Sequence, residues 1–346
     1  MSPAEKVQCV KAQMEKHFTA MCGDGGFNYI DFRNDAGALK QAHTGIALSE
    51  AESSVVGHFS SRKKSLLCCV DLILEARCSL DVSFAAYKFL LIYGEAQAIG
   101  GMFQSFFAVN VSQIMQILTD GMTVPISWAL TMASPADKLC DTRPTARLLG
   151  PETIASVLGG IIINAFFVFL SVLVLFKQSF FKCHEFDSTG ANFRLWWQFA
   201  DSYESSVTST IITIQVVGSA LAYNIGSKYR RGGLRNTYLI IIYAILVGTL
   251  ILVLMGSPNS IGCLLHINCG SQIALKNLGY TAPMYIPDQW FSAVGHNVLP
   301  VYFRWVILAI CALNLLAFIL WEKYVILGPI RKLCVQNFSS RPKMRL

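Results

Sequence analysis

The sequence predicts a mainly α membrane protein: a six-helix transmembrane bundle preceded by a partial α/β domain. Three observations predict it. The 346 residues are 53% hydrophobic and only 14% charged, against about 25% charged in a soluble globular domain, and the mean hydropathy is +0.48. Apolar stretches of the length a bilayer needs, roughly 20 residues, recur after residue 83 and are unambiguous in GGIIINAFFVFLSVLVLF and YLIIIYAILVGTLILVLM. The first 60 residues lack such stretches and carry strand and helix signals instead. The N-terminus, MSPAEKVQCVKAQMEKHF, has no apolar segment of the signal-peptide kind.

Within residues 1–60, Ser2-Pro3-Ala4-Glu5 fits a helix start, with Ser as cap, Pro in the first turn and an acid beside it. Val7, Val10 and Met14 then share one face. FTAMCGD (18–24) reads as a short strand, DAGALKQA as a helix and TGIALS as a second strand. Strand, helix and strand in about 30 residues make a βαβ unit with a parallel pair. This is too little chain for a complete α/β domain, so the closing piece of a larger one is expected. Ser60-Ser61 can cap a helix running through RKKSLLCCVDLILEARCSLDV, read as a stalk over 61–82. The transmembrane domain follows over 83–332 and a basic tail over 333–346.

Six spans are expected, at about 83–107, 111–133, 153–176, 205–225, 237–256 and 304–322. The first two carry polar residues, so they are interior helices if they span at all. Basic residues gather after span two (Lys138, Arg143, Arg147), after span four (Lys228, Arg230, Arg231, Arg235) and in the tail (Arg331, Lys332, Arg341, Lys343, Arg345). The positive-inside rule then puts both termini in the cytosol, with Lys177, Lys182 and Arg194 as the one dissent. The formal charge of +7 is explained by these loops, so no nucleic-acid partner is expected. Eleven cysteines form no CxxC pair and no Cys/His metal spacing. Cys263 and Cys269, in the long loop before the last span, can pair.

Two constellations carry chemistry. Asp24, between glycines at the end of a parallel strand, stands where α/β sheets bind ligands. A lone GDG is also an ordinary tight turn. Mg²⁺ commonly takes one or two carboxylates and fills its shell with water and phosphate. Asn34-Asp35 at a helix start can cap the backbone and offer an amide to a phosphate, and Lys6 can supply positive charge. In the bundle, Glu95 and Asp120 lie near the middle of the first two spans. Acids at that depth usually face a pathway or a partner. Tyr93 and Gln97 flank Glu95, and Pro125 frees a backbone carbonyl one turn beyond Asp120. The competing reading of Glu95 is an ion pair with Lys88, two turns away on the same face. Asn164, Gln215, Asn224 and Asn314 read as hydrogen-bonding glue between helices.

The text GDGG…NDAGALKQAHTGIALSEAESSVV resembles the hinge segment of P-type ATPases, and most closely that of subtype five, B branch, the endolysosomal polyamine and cation transporters. MSPAEK, SPADKL after span two and LWEKY at the end of span six fit the same branch. The resemblance implies the end of a haloacid-dehalogenase-like phosphorylation domain, followed by the last six of ten or more helices. It implies that Asp24 ligates Mg²⁺, that Lys6 and Asn34 contact the transferred phosphoryl group, and that Asp35 orients the site. Tyr93, Gln97 and Asp120 match positions that contact the transported polyamine in that family; Glu95 rests on the residue reading alone. The implied partners are membrane lipid, a cation or polyamine, and the N-terminal portion of a pump; the implied location is an endolysosomal or vacuolar membrane.

The sequence departs from the family pattern in two ways. It holds no DKTGT-type phosphorylation loop, nucleotide-binding domain or TGE-type actuator loop, so ATP would be a ligand only of a full-length chain. Phe27–Arg33 also separate two half-motifs that the family keeps adjacent. A longer loop costs little entropy, but FNYIDFR is aromatic-rich and would lie over the phosphate, so impaired chemistry is expected. The expected function is therefore that of a C-terminal fragment of an ATP-driven transporter of cations or polyamines, inactive alone. The alternative is a stand-alone six-span channel or binding subunit without ATPase activity, which would have no use for a phosphate motif.

Overall fold

The computed structural model describes residues 1–23, 35–48, 57–62, 65–184, 200–225, 228–281, 283 and 294–334, and the chain divides into two units. The first contains Met1–Arg77 and Pro135–Thr142. Its first helix, α1 (Pro3–Met14), starts as the sequence dictates. The Ser2 hydroxyl accepts from Glu5 N, and the Glu5 carboxylate accepts from Ser2 N at 2.8 Å. Pro3 occupies the first turn, where no N–H is needed. The expected βαβ unit follows as β1 (Ala20–Gly23), α2 (Ala36–Gln41) and β2 (Thr44–Ala47). β1 and β2 are parallel, registered from Ala20 opposite Thr44 to Gly23 opposite Ala47. The short β3 (Phe59–Ser60) extends the parallel sheet in the order β1-β2-β3. Ser60, read above as a helix cap, belongs to this strand; Ser65 takes the cap position, its Oγ accepting from Leu67 N at 3.3 Å. α1 and α2 bury Val10, Ala38 and Ala42 between them, with Val7, Met14 and Met21 packed alongside.

The second unit comprises Cys78–Ser134 and Arg143–Ser340. It holds α3 (Leu67–Phe106) from Cys78 onward, and the long helices α4 (Gln113–Thr131), α5 (Pro151–Phe176), α6 (Tyr203–Asn224) and α7 (Thr237–Met255). The short α8 (Ser260–Leu264) and α9 (Gln272–Asn277) follow, then α10 (Val301–Leu320), which widens to π-helical geometry over Trp321–Ile330. Each of the six expected spans is helical. α3 is unbroken from Leu67, so the expected stalk and first span are one helix. Four helices are long and apolar enough to cross a membrane: α5, α6, α7 and α10 with its extension to Cys334. α3 and α4 do not join them, because Lys88, Glu95, Gln97 and Gln104 interrupt the one and Gln113, Gln116 and Asp120 the other.

α6 is the hub. Almost all of it is buried, against α4, α5, α7 and α10. Its text, YESSVTSTIITIQVVGSALAYN, is made of small and β-branched residues that let helix backbones approach closely. The hydroxyls of Thr208, Thr210 and Thr213 donate to carbonyls one turn back, which satisfies them without a partner helix. Thr213 also meets Thr119 of α4 at 2.9 Å. Gln215 donates to Asn164 O at 3.1 Å and Asn314 to Asn164 Oδ1 at 3.1 Å, tying α5, α6 and α10 together. These are the contacts expected of polar glue. Gly160 on α5 meets α10 so closely that a Cβ there would lie 2.8 Å from the Phe318 ring. The outer faces are apolar: Ile162, Phe166 and Phe169 on α5 and Ile241, Ile245 and Leu252 on α7 are exposed, as suits lipid.

The loops joining the later helices are closely packed. Cys263 and Cys269 form a disulfide. The guanidinium of Arg304, 2% exposed, donates from Nε to Leu299 O at 2.7 Å. Its Nη1 donates to Met255 O at 3.1 Å and Gly256 O at 2.8 Å, the last carbonyls of α7. Asp201, fully buried, meets His266 Nδ1 at 3.0 Å. His296 accepts at Nδ1 from Val298 N at 3.4 Å and lies 3.3 Å from Tyr203 Oη.

Burial lowers the pKa of His184 and, with the charge of Lys182, that of His296. Below the ordinary histidine value of 6.5 the unfolded chain takes up protons that the folded chain refuses, so stability falls as pH falls. Asp201 acts in the opposite sense: burial raises its pKa against the pull of His266, so its protonation favours the folded state at lower pH. His184 and His296 should therefore contribute a drop in the thermal midpoint in detergent between pH 7 and pH 5, which Asp201 opposes. His296→Gln should remove part of that drop, and an identical pH profile in the variant would reject the assignment to His296.

Candidate functional site

Two clusters stand out, one in each unit. In the first unit, the parallel strands end together at the edge where Gly23 closes β1. α1 brings Lys6 to this edge and the turn before α2 brings Asp35. Lys6 Nζ lies 2.6 Å from Asp35 Oδ1, with side chains 25% and 13% exposed. Asp35 also lies against the strand end. A Cβ at Gly23 would come within 2.7 Å of Asp35 Oδ2, so only glycine lets the carboxylate approach this backbone. Gly23 and Asp35, the two described ends of the interrupted motif, are thus close together. Asp24, Asn34 and the stretch Phe27–Arg33 lie outside the described residues. Among the described residues no group of three or more His, Cys, Asp or Glu could hold a metal. Asp35 is paired with Lys6.

In the second unit, α3 and α4 bring together three of the four predicted residues. Tyr93 Oη donates to Asp120 Oδ1 at 2.5 Å and Gln97 Nε2 donates to the same oxygen at 3.4 Å. Two donors on one oxygen hold the carboxylate in a fixed orientation and leave Oδ2 without a hydrogen bond among the described residues. Asp120 is exposed on the flank of the bundle. Pro125 lies inside α4 and cannot donate a hydrogen bond to Gly121 O. Such a set of a carboxylate, a phenol, an amide and a backbone carbonyl binds cations and ammonium groups.

Glu95 does not join this group. Its Oε2 is buried and has no hydrogen-bond partner among the described residues. Nor does it pair with Lys88, whose Nζ lies 3.3 Å from Glu322 Oε2 instead. Glu322, buried after α10, and Ser156 of α5, which donates to Glu322 Oε1, received no role from the sequence. The acid inside LWEKY, at the end of an apolar run, is the signal that marks Glu322.

No known family profile matches the chain. Its relatives include the vacuolar cation-transporting ATPase YPK9 of Saccharomyces cerevisiae, 27% identical over 296 residues, or 83% of this chain and 19% of the relative. The polyamine-transporting ATPase 13A2 of Mus musculus is 28% identical over 315 residues, 88% of this chain and 25% of its own. The probable cation-transporting ATPase 13A4 of Gallus gallus is 33% identical over 184 residues, 53% of this chain and 15% of its own. The chain thus spans a quarter or less of the length of these curated relatives.

Proposed function

The chain is homologous over most of its length to the type 5 P-type ATPases, and from that premise we propose that it is the C-terminal part of an ATP-driven transporter of cations or polyamines. The observation that carries the reading is the Tyr93–Gln97–Asp120 cluster. An anionic carboxylate on the flank of an apolar bundle is costly in lipid. A cation neutralises it, and a further segment of the pump, its N-terminal portion, covers it. On this reading α3 and α4 cross the membrane beside the four apolar helices, giving six spans. Both termini face the cytosol, as the basic loops favour, in a membrane of the endolysosomal or vacuolar kind.

The first unit is read as the closing piece of a haloacid-dehalogenase-like phosphorylation domain. Lys6, fixed by Asp35, presents positive charge to a phosphoryl group at the strand ends, and Asn34 adds an amide donor. Asp24 would hold Mg²⁺, which when bound neutralises phosphate charge. The acceptor aspartate of the DKTGT type is not among these 346 residues. Purified chain should accordingly release no phosphate from ATP above an Asp24→Ala control. Grafted in place of the corresponding part of the mouse polyamine-transporting ATPase, the segment with Phe27–Arg33 deleted should restore polyamine-stimulated hydrolysis. The undeleted segment should support it more slowly. Hydrolysis by the chain alone, or a deleted graft that polyamines fail to stimulate, would overturn the reading.

A further inference from the structure

Lys88 occupies a site built from four elements. Its ammonium lies 3.3 Å from Glu322 Oε2 and 4.5 Å from the centre of the Tyr223 ring. Ser156 Oγ donates to the other carboxylate oxygen, Oε1, and so fixes the plane of the anion. The side chains of Lys88 and Glu322 are 17% and 4% exposed. A desolvated carboxylate beside an aromatic face is the chemistry that recognises a primary ammonium. The group filling it is the end of a four-carbon amine chain, the aminobutyl unit of a lysine.

A cavity of about 50 Å³ adjoins the site, with room for a few water molecules. Its lining includes the acids Asp81, Glu152 and Glu322 and the bases Lys88, Arg230 and Arg331. Arg230 is held by Asp81, Nε to Oδ2 at 3.0 Å, and donates to Tyr223 O. With Lys88 in place, three acids face three bases; with Lys88 withdrawn, three acids face two, and one negative charge is left uncompensated. Lys88 precedes Tyr93 by five residues, about 7.5 Å of helix rise.

We propose that Glu322, Ser156 and Tyr223 form a second alkylammonium site, held by the tethered amine of Lys88 until a free amine displaces it. Its use in transport rests on the amine reading given above, whereas its binding chemistry does not. The test therefore uses the chain itself in detergent, without ATP. Lys88→Ala opens the space of the side chain. Added n-butylammonium should raise the thermal midpoint of this variant saturably toward that of the unsubstituted chain. Sodium chloride at equal ionic strength should not. The Lys88→Ala/Glu322→Gln double variant should require about tenfold or more butylammonium for the same shift, the loss of one charge-assisted contact. Equal shifts with sodium chloride, or equal response in the double variant, overturn the proposal. If Lys88→Ala is not recovered folded, Lys88→Met keeps the stem and vacates only the ammonium position. Saturable binding of radiolabelled methylammonium to Lys88→Met, weakened by Glu322→Gln, then supports the site, and its absence overturns it.

Discussion

Asparagine at position 120 should raise the polyamine concentration for half-maximal ATPase stimulation of the grafted pump about ten- to a hundredfold, the equivalent of about 1.5–3 kcal/mol. The substitution keeps the shape of the side chain and an oxygen that can still accept from Tyr93 and Gln97. The α3–α4 contact is thus retained while the charge is lost. No other lysine, arginine or histidine lies in α4, and in the part of α3 that packs in the bundle the only basic residue is Lys88, which Glu322 holds. Among the described residues Asp120 is held by Tyr93 and Gln97 and by no basic side chain. An unchanged half-saturation, at normal expression, would show that Asp120 only ties α3 to α4.

The largest loss of stability is expected from Arg304→Met. The guanidinium reaches three carbonyls, one at Leu299 and two at the C-terminal end of α7, where the helix dipole favours positive charge. Methionine fills the space but leaves those acceptors buried without a charged donor. Unfolding in detergent should show a loss of about 3–5 kcal/mol. Arg304→Lys should recover only part of it, because an ammonium is a point charge that cannot fork between Leu299 and α7. A loss in Arg304→Met of no more than about 1 kcal/mol would mean that water satisfies the carbonyls.

What the sequence revealed follows the range over which its signals act. The capped start at Ser2, the βαβ text and the apolar runs are local patterns, and each forms where it is read. Lys6 and Asp35 were each legible as parts of one motif, but their ion pair was not read from the sequence. Tyr93, Gln97 and Asp120 were legible through the family resemblance, and they meet; Glu95, added from the residue reading alone, does not join them. Lys88 shows the limit. Its local spacing favours Glu95, yet Glu322, 234 residues away in sequence, holds it. No periodicity encodes a contact of that separation, and the widened helix around Glu322 has no composition signal that a short window detects. β3 escaped for a different reason: two residues are too few to show alternation.

The enclosure of α6 bears on how the chain is made. Its hydropathy is 1.4, against 2.6, 2.8 and 2.3 for the other three apolar helices. Released alone into lipid during synthesis, its Ser205, Ser206, Ser209, Gln215 and Asn224 would find no water and few partners. α5 precedes α6 in the chain and α7 follows it, and both are more apolar. On the membrane-spanning reading, α6 is expected to enter the bilayer with the help of these two neighbours. A substitution that weakens α5 or α7 at the α6 contact would act before folding is complete. It would show as chain that fails to integrate and is degraded, ahead of any deficit in a finished transporter.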